Sequence, residues 1–292
     1  MRFSAIPGAA LIGLDKPAAD EFAGRIAVIT GGGSGIGRST ALLLARLGAK
    51  VHVVDIAKAN ADAVAAEIVA AGGSAAAYRV DVSKPAGVEK LADQVFAADG
   101  RVDVLFNNAG IGLQGPIEMT SLEEWRKIID VNLMGVVHGV HFFVPRMLAQ
   151  GGGGHIVNTA SMLGLYVWPE FVPYATSKQA VVGLSEGLAA ELGPKGIHVS
   201  AICPGVVNTP IHETSPIHGE FAEKRDEVRK WMDKVGVSPD SVAEAVVDAI
   251  RHRQLIRPVP RVQVQPAWAL RRLSPKASGV AGRLVFGLVK PK

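Results

Sequence analysis

The chain has 292 residues, of which 48% are hydrophobic and 20% charged, and its formal net charge is +4. This composition excludes a disordered tail and a coiled coil. The single cysteine, Cys203, excludes an intrachain disulfide framework and a cysteine-cluster zinc site. No apolar run approaches the ~18 uncharged residues of a membrane span. The short apolar stretch at residues 9–14 contains Gly13 and is closed by Asp15 and Lys16. We therefore expect no secretory signal and a cytoplasmic protein.

The positive charge is concentrated at the C-terminus. Residues 251–292 contain ten lysines and arginines and no acidic residue, so the rest of the chain carries a net charge of −6. The sequence pI of about 9.2 is therefore a property of the tail. We expect no nucleic-acid partner.

Strand-like and helix-like segments alternate from residue 25 onward. Strands are predicted at residues 25–30, 51–55, 77–82, 102–107, 155–160 and 198–203. Helices are predicted at residues 39–47, 60–71, 87–98 and 174–192, with one long helix or two over 122–147. This β–α order predicts an α/β fold, a doubly wound, Rossmann-like parallel sheet with helices on both faces.

The predicted sheet defines a single domain. We place an N-terminal extension at residues 1–22, the domain at 23–254 and a basic C-terminal tail at 255–292. Within the domain, residues 211–236 are charged and helical in character, and they interrupt the alternation.

A glycine-rich loop follows the first strand, and residues 30–37 read Thr-Gly-Gly-Gly-Ser-Gly-Ile-Gly. Glycines between a strand and a helix let backbone N–H groups approach a pyrophosphate at the helix N-terminus. Residues 32–39 also come within one substitution of a phosphate-binding P-loop, but Arg38 stands where that motif needs lysine. A tight structural turn is the other alternative.

Asp55 ends the second strand, 18 residues after Gly37. A carboxylate there accepts hydrogen bonds from an adenosine ribose and repels a 2′-phosphate. The sequence therefore predicts NAD as cofactor, with NADP less favoured, and Arg38 is a counterweight to that preference.

Further polar motifs follow the later strands, where a doubly wound sheet binds ligands. They are Asp81-Val82, Asn107-Asn-Ala-Gly110, Asn132, Ser161, Tyr174-x-x-x-Lys178 and Pro204-Gly205. With the glycine loop, these motifs closely resemble the short-chain dehydrogenase/reductase family over residues 22–210, in the family's order and spacing.

The resemblance implies the roles of the site residues. It makes Asn132, Ser161, Tyr174 and Lys178 the catalytic set, in which Lys178 also holds the nicotinamide ribose and Asn132 anchors a proton-relaying water. The implied cofactor-binding residues are Gly31, Ser34, Gly35, Ile36, Gly37, Asp55, Asp81, Val82, Asn108, Ala109, Gly110, Tyr174, Lys178, Pro204, Gly205, Val207 and Thr209. Direct hydride transfer needs no metal. No acidic residues accompany His138, His141 and His155 at the spacing that metal ligands have in a sequence.

The chemistry of Tyr174 and Lys178 agrees with that role. They are four residues apart, so a helix stacks them on one face. A phenol has a pKa of about 10 and is a poor base. We expect the neighbouring ammonium and the nicotinamide charge to lower the pKa of Tyr174 by about 1–3 units, toward the range of a general acid/base. Ser161 is expected to donate a hydrogen bond to the substrate oxygen.

The loop at residues 162–173 is mostly apolar and contains Tyr166, Trp168 and Phe171. Such walls suit a hydrophobic secondary alcohol or ketone, although these side chains could instead pack against a neighbouring subunit. Residues 211–236 are expected to form a substrate lid.

The tail combines arginines with apolar residues, so we expect it to dock on the domain or a subunit, or to contact an anionic membrane surface. A homo-oligomer, dimer or tetramer, is expected.

The leading hypothesis is an NAD-dependent alcohol dehydrogenase or carbonyl reductase. The alternatives are a non-catalytic dinucleotide-binding regulatory protein and a P-loop hydrolase. The presence of all four catalytic residues argues against the regulator.

Overall fold

The computed structural model describes residues 21–289, and within them the chain forms seven strands and twelve helices. The strands are β1 Ile26–Thr30, β2 Lys50–Asp55, β3 Ser74–Arg79, β4 Val104–Asn107, β5 Gly154–Thr159, β6 Ile197–Pro204 and β7 Ile256–Val259. The helices are α1 Gly35–Arg46, α2 Lys58–Ala70, α3 Pro85–Asp99, α4 Leu122–Ile129, α5 Gly135–Ala149, α6 Val172–Leu192, α7 Ile211–Thr214, α8 Glu220–Glu223, α9 Arg225–Val235, α10 Pro239–Arg251, α11 Arg261–Leu273 and α12 Pro275–Val289.

The seven strands form one parallel sheet in the order β3-β2-β1-β4-β5-β6-β7. The strand order reverses between β1 and β4, which is where a doubly wound sheet opens a crevice at its carboxyl edge. The predicted α/β fold is confirmed. The glycine loop, Asn107, Ser161 and Gly205 all lie at or just beyond strand ends on this edge.

Both faces of the sheet are buried, which explains the continuous apolar runs of its strands. In β1, Ala27 and Ile29 belong to a core cluster that includes α1 and α10, whereas Ile26 and Val28 belong to a second cluster that includes α3 and α5. Alternate residues of a strand point to opposite faces. The helices therefore cover the sheet on both sides.

Two strands differ from the sequence prediction. Strand β3 spans Ser74–Arg79 rather than 77–82, because its pairing starts with Lys50 opposite Ser74. Strand β7 was not predicted, since it carries Pro258 and lies in the Pro- and Arg-rich tail. It pairs with β6 from Ala201 opposite Ile256 onward, so the tail contributes the last strand of the sheet.

Residues 122–149 form one helical run of 28 residues, which is α4, a π-helical turn at Asp130–Met134, and α5. By length and hydropathy alone this run could cross a membrane. Its Asn132, Ile128 and Phe143 are nevertheless buried in the globular core. We therefore interpret it as a core helix, and its irregular turn is located at Asn132.

Candidate active site

The glycine loop joins β1 to α1 at the edge of the crevice. Gly31 has a φ of +61°, and a Cβ there would lie 2.9 Å from Ala109 Cα. A Cβ on Gly37 would lie 2.1 Å from the carbonyl oxygen of Gly31. Both positions therefore need glycine, Gly31 for its backbone conformation and Gly37 for the close packing of α1 beneath the loop.

The N-terminus of α1 is free to bind an anion. Ser34 is the N-cap residue, its side chain makes no capping hydrogen bond, and the first turn contains no acidic residue. The first N–H groups of a helix have no intrahelical partner and carry partial positive charge. This end of α1 suits a pyrophosphate.

A cavity of about 970 Å³ opens in front of this loop. Sixteen of the seventeen residues predicted to bind the cofactor line this cavity, and so does Ser161. The sixteen are Gly31, Ser34, Gly35, Ile36, Asp55, Asp81, Val82, Asn108, Ala109, Gly110, Tyr174, Lys178, Pro204, Gly205, Val207 and Thr209. Gly37 does not line the cavity, because it packs behind the loop. The cavity fits a dinucleotide.

Asp55 sits beside this cavity with both carboxylate oxygens engaged by the backbone. Oδ2 accepts a hydrogen bond from Gly33 N at 3.0 Å, and Oδ1 accepts one from Ala57 N at 2.9 Å. A carboxylate has about four acceptor sites, so each oxygen can still accept a ribose hydroxyl. Arg38 is turned away toward α2, where it forms an ion pair with Glu67 at 2.7 Å.

A polar network holds the Asn107–Gly110 segment against the neighbouring strands. Thr30 Oγ1 accepts hydrogen bonds from Asn108 N at 3.0 Å and Ala109 N at 3.1 Å. The Asn108 amide donates to Thr30 O at 3.1 Å and accepts from Thr159 Oγ1 at 3.0 Å. These bonds fix the segment across β1, β4 and β5, which is the floor of the crevice.

Tyr174, Lys178 and Ser161 come together at the inner end of the cavity. Tyr174 and Lys178 lie on one face of α6, with Lys178 Nζ 5.8 Å from the centroid of the Tyr174 ring. Nζ donates a hydrogen bond to Thr159 O at 2.8 Å, which holds the buried side chain against β5. The Ser161 hydroxyl lies beside the Tyr174 phenol, close enough to influence its pKa.

The pKa of Tyr174 is raised above its ordinary value, and the expected lowering by Lys178 is absent. Burial is the larger cause, and the hydrogen bond from Ser161 acts in the opposite direction. Burial also lowers the pKa of Lys178 to about 8. The expected lowering included the charge of a bound nicotinamide; without a cofactor, the cost of desolvating both groups dominates.

Asn132 is fully buried in the π-helical turn. Its Oδ1 accepts a hydrogen bond from Ile111 N at 2.8 Å, and its Nδ2 donates to Ile111 O at 2.9 Å. A Cβ on Gly110 would lie 3.2 Å from Asn132 Oδ1 and 3.4 Å from Lys178 Nζ. The side chain therefore clamps the loop after β4 beside Lys178, and it does not line the large cavity. Its predicted role in proton relay stays a prediction.

A second cavity of about 300 Å³ adjoins the first. The two cavities share Ser161, Tyr174, Gly205 and Ile211 in their walls. The predicted loop supplies Met162, Leu163, Trp168 and Phe171, and the predicted lid supplies Ile211, Ser215, Ile217, Phe221, Glu227, Val228, Trp231 and Met232. Its lining is mostly apolar.

One aromatic residue of the loop is placed differently from the expectation. Tyr166 does not line the second cavity but is buried, and its hydroxyl donates to Met162 Sδ at 3.1 Å. Burial raises the pKa of Tyr166 to about 12. Its role is to pack the loop.

Sequence reasoning missed several wall residues. The first cavity also contacts Ile56, Asn60 and Thr159, which lie within five residues of Asp55 or Ser161. The second contains Gln114 and Phe286. Proximity to a motif could have indicated the former group, but no pattern in the sequence pointed to Phe286.

The histidines considered as metal ligands serve structural bonds. His138 Nδ1 lies 2.8 Å from Val82 O, and His155 Nε2 lies 2.8 Å from Ser200 Oγ. Within residues 21–289 no three His, Cys, Asp or Glu side chains form a group that could hold a metal ion.

Comparison with known proteins identifies the family of the chain. The short chain dehydrogenase family model matches residues 25–218, and the chain belongs to this family of oxidoreductases. It is 42% identical over 234 residues to a cyclohexanol dehydrogenase from an Acinetobacter species, covering 80% of this chain and 90% of that protein.

Two further proteins are similar to this chain in sequence or structure. The chain is 40% identical over 269 residues to the probable oxidoreductase EphD of Mycobacterium tuberculosis, which covers 90% of this chain, but it spans only 45% of EphD. A short chain dehydrogenase/reductase from Burkholderia phymatum, crystallised in complex with NAD, has a TM-score of 0.82 and 34% identity. That likeness covers 89% of this chain and 96% of the Burkholderia chain. A dinucleotide cofactor is therefore supported.

Proposed function

We propose that the protein interconverts a hydrophobic secondary alcohol and its ketone with NAD(H) as cofactor. The observation that carries the proposal is the meeting of the two cavities at Ser161 and Tyr174. A substrate in the apolar cavity and a dinucleotide in the large cavity would both reach these two side chains. The similarity to a cyclohexanol dehydrogenase supports an alicyclic alcohol as substrate.

Each residue of the site has its own role in the proposed reaction. In the oxidation direction Tyr174 accepts the proton of the substrate hydroxyl, and in reduction it returns that proton. Ser161 donates a hydrogen bond to the same substrate oxygen. Lys178 and Asp55 would hold the two ribose groups of the cofactor. When bound, the oxidised dinucleotide supplies the hydride acceptor and a positive charge beside Tyr174.

A direct assay tests this activity. Purified protein is mixed with NAD and a panel of lipophilic alcohols, cyclohexanol first, and the formation of NADH is followed by absorbance. Turnover of at least one secondary alcohol is expected. Tight dinucleotide binding without turnover of any alcohol or ketone would instead favour the non-catalytic regulator.

We propose NAD rather than NADP because of Asp55 and Arg38. The Asp55 carboxylate would repel a 2′-phosphate, and the Arg38 guanidinium that could offset it is already paired with Glu67. The NAD bound in the similar Burkholderia structure supports this choice.

Replacing Asp55 by asparagine is expected to shift the cofactor preference toward NADP. The ratio of kcat/KM for NAD to that for NADP should fall about tenfold or more, because a like-charge repulsion of over 1 kcal/mol is removed. Steady-state kinetics with both cofactors measure this ratio. Asp62→Asn removes the same charge from an exposed position on α2 and should leave the ratio unchanged. Wild-type enzyme that prefers NADP would contradict the assignment.

Homo-oligomer formation and a cytoplasmic location remain our proposals. Exposed apolar side chains near the two ends of the helical run over residues 122–149, Leu122 and Leu148 at 71% and 37% exposure, support an oligomer. An apolar surface of that kind commonly lies at a subunit interface. Light scattering of the purified protein measures the assembly, and cell fractionation measures the location.

The tail is also proposed to contact an anionic membrane surface. Val262, Leu273 and Leu284 are 82%, 85% and 66% exposed on α11 and α12, which carry arginines and no acidic residue. We expect salt-sensitive flotation with vesicles containing phosphatidylserine. Leu273→Asp should weaken it, whereas Val69→Asp on α2 should not. Flotation that is absent at low salt would exclude the contact.

A further inference from the structure

The C-terminal helices fold back onto the wall of the apolar cavity. Residues 261–289 lie beyond the part of the chain that the family model matches. On α11, Val264 is fully buried and belongs to the core cluster that contains Met162 and Leu165 of the loop after β5. On α12, Ser278, Gly282 and Phe286 are buried at four-residue intervals. This stripe is one face of the helix, and it packs against the domain.

Phe286 completes an aromatic wall made by three separate segments. Its ring centroid lies 5.4 Å from that of Phe221 in α8 and 6.5 Å from that of Trp168 in the loop after β5. These separations fall in the range of favourable aromatic pairs. Phe286 is 7% exposed and lines the apolar cavity but not the dinucleotide cavity. It can therefore act on the substrate rather than on the cofactor.

Gly282 sets how closely α12 approaches the cavity. A Cβ at this position would lie 2.9 Å from Val167 O and 3.7 Å from Trp168 Cδ1. Any larger residue would push the helix away from the loop. Because Phe286 follows one helical turn later on the same face, that displacement would also withdraw its ring from the cavity.

We propose that α12 is the size-determining wall of the substrate site, with Phe286 as the specificity-determining residue and Gly282 as its positioning residue. This inference rests on the proposed oxidoreductase function. The tail thereby limits the apolar cavity to compact alicyclic alcohols, because the aromatic side chain of Phe286 occupies space that a larger alicyclic substrate would need.

The test compares one small and one large alcohol. In the full-length Phe286→Ala variant, kcat/KM for cyclododecanol relative to that for cyclohexanol should rise about tenfold or more over wild type, as single pocket contacts commonly discriminate. The KM for NAD should stay the same. Leu284→Ala removes an apolar side chain that is 66% exposed on the same helix and should not change the ratio. Equal changes for both alcohols would reduce Phe286 to a structural role and overturn the proposal.

A pair of glycine substitutions provides a second readout that does not weaken the helix, since alanine favours helix over glycine. Gly282→Ala should change the alcohol ratio in the same direction as Phe286→Ala. Gly279→Ala, where a Cβ meets nothing within 4 Å, should leave the ratio at the wild-type value. Identical behaviour of the two alanine variants would overturn the positioning role.

Binding measured without turnover separates this inference from the proposed function. Quenching of tryptophan fluorescence by cyclododecanone gives its affinity in the absence of cofactor. We expect at least tenfold tighter binding by Phe286→Ala than by wild type. That result would support the tail wall even if wild type oxidised no alcohol. Normal wild-type turnover, with both affinity and alcohol ratio unchanged in the variant, would overturn the tail wall alone.

Discussion

Replacing Tyr174 by phenylalanine should lower kcat for alcohol oxidation by about 10²- to 10⁴-fold, the usual contribution of a positioned general acid/base. The substitution removes only the hydroxyl that adjoins Ser161 at the junction of the two cavities. The ring still fills its place on α6. The Kd for NAD, measured by fluorescence titration, should therefore change by less than about threefold, as expected for a loss confined to the transition state.

Tyr166→Phe is the matched control for this variant. Tyr166 lies in the adjacent loop, is buried and makes a single hydroxyl contact with Met162 Sδ. Losing that weak bond should leave kcat within about threefold of wild type. A Tyr174→Phe variant that keeps a tenth or more of the activity would disprove the acid/base role.

The raised pKa of Tyr174 predicts how the activity depends on pH. Without cofactor the phenol is protonated at neutral pH, because burial disfavours the phenolate more than Ser161 stabilises it. The pH dependence of kcat/KM for the alcohol should therefore show activity rising with pH, as the base loses its proton.

Local chemistry explains why so much of the cofactor site could be predicted. The glycine loop depends on a strand-to-helix turn that only small residues permit, and Asp55 depends on its place at a strand end. Gly31 and Gly37 show this most clearly, because each would clash with backbone atoms if it carried a Cβ. The positive φ of Gly31 and the contact of Gly37 with Gly31 O act within a few residues and are visible in the sequence.

The features that were missed depend on contacts between distant segments. Strand β7 joins the sheet although Pro258 disfavours a strand, because β6 offers it an open edge. Phe286 meets Phe221 and Trp168 across 65 and 118 positions of sequence. No local pattern marks such a contact. The effect of burial on the pKa of Tyr174 could not be predicted for the same reason, since burial is a property of the assembled fold.

Lys178→Met should abolish most activity and yet stabilise the folded protein at neutral pH. Lys178 is 3% exposed and has no carboxylate within salt-bridge distance among the described residues. Its pKa falls to about 8 on folding. Keeping the ammonium charged in that environment costs about 3 kcal/mol at pH 7. Methionine avoids the cost but gives up the bond to Thr159 O, about 1 kcal/mol. The net gain should be about 2 kcal/mol.

The sign of the pH dependence makes this prediction specific. Between pH 8 and 10.5 the unfolded chain holds the Lys178 proton and the folded protein has released it, so wild-type stability rises with pH in this window. Methionine has no such proton. The stability advantage of the variant should therefore shrink by about 2–3 kcal/mol between pH 7 and pH 10, as measured by urea unfolding at each pH. Lys195→Met, at an exposed position with a weak ion pair to Glu191, should show no such trend. A variant less stable than wild type at pH 7 would show that the Lys178 charge is compensated within the fold.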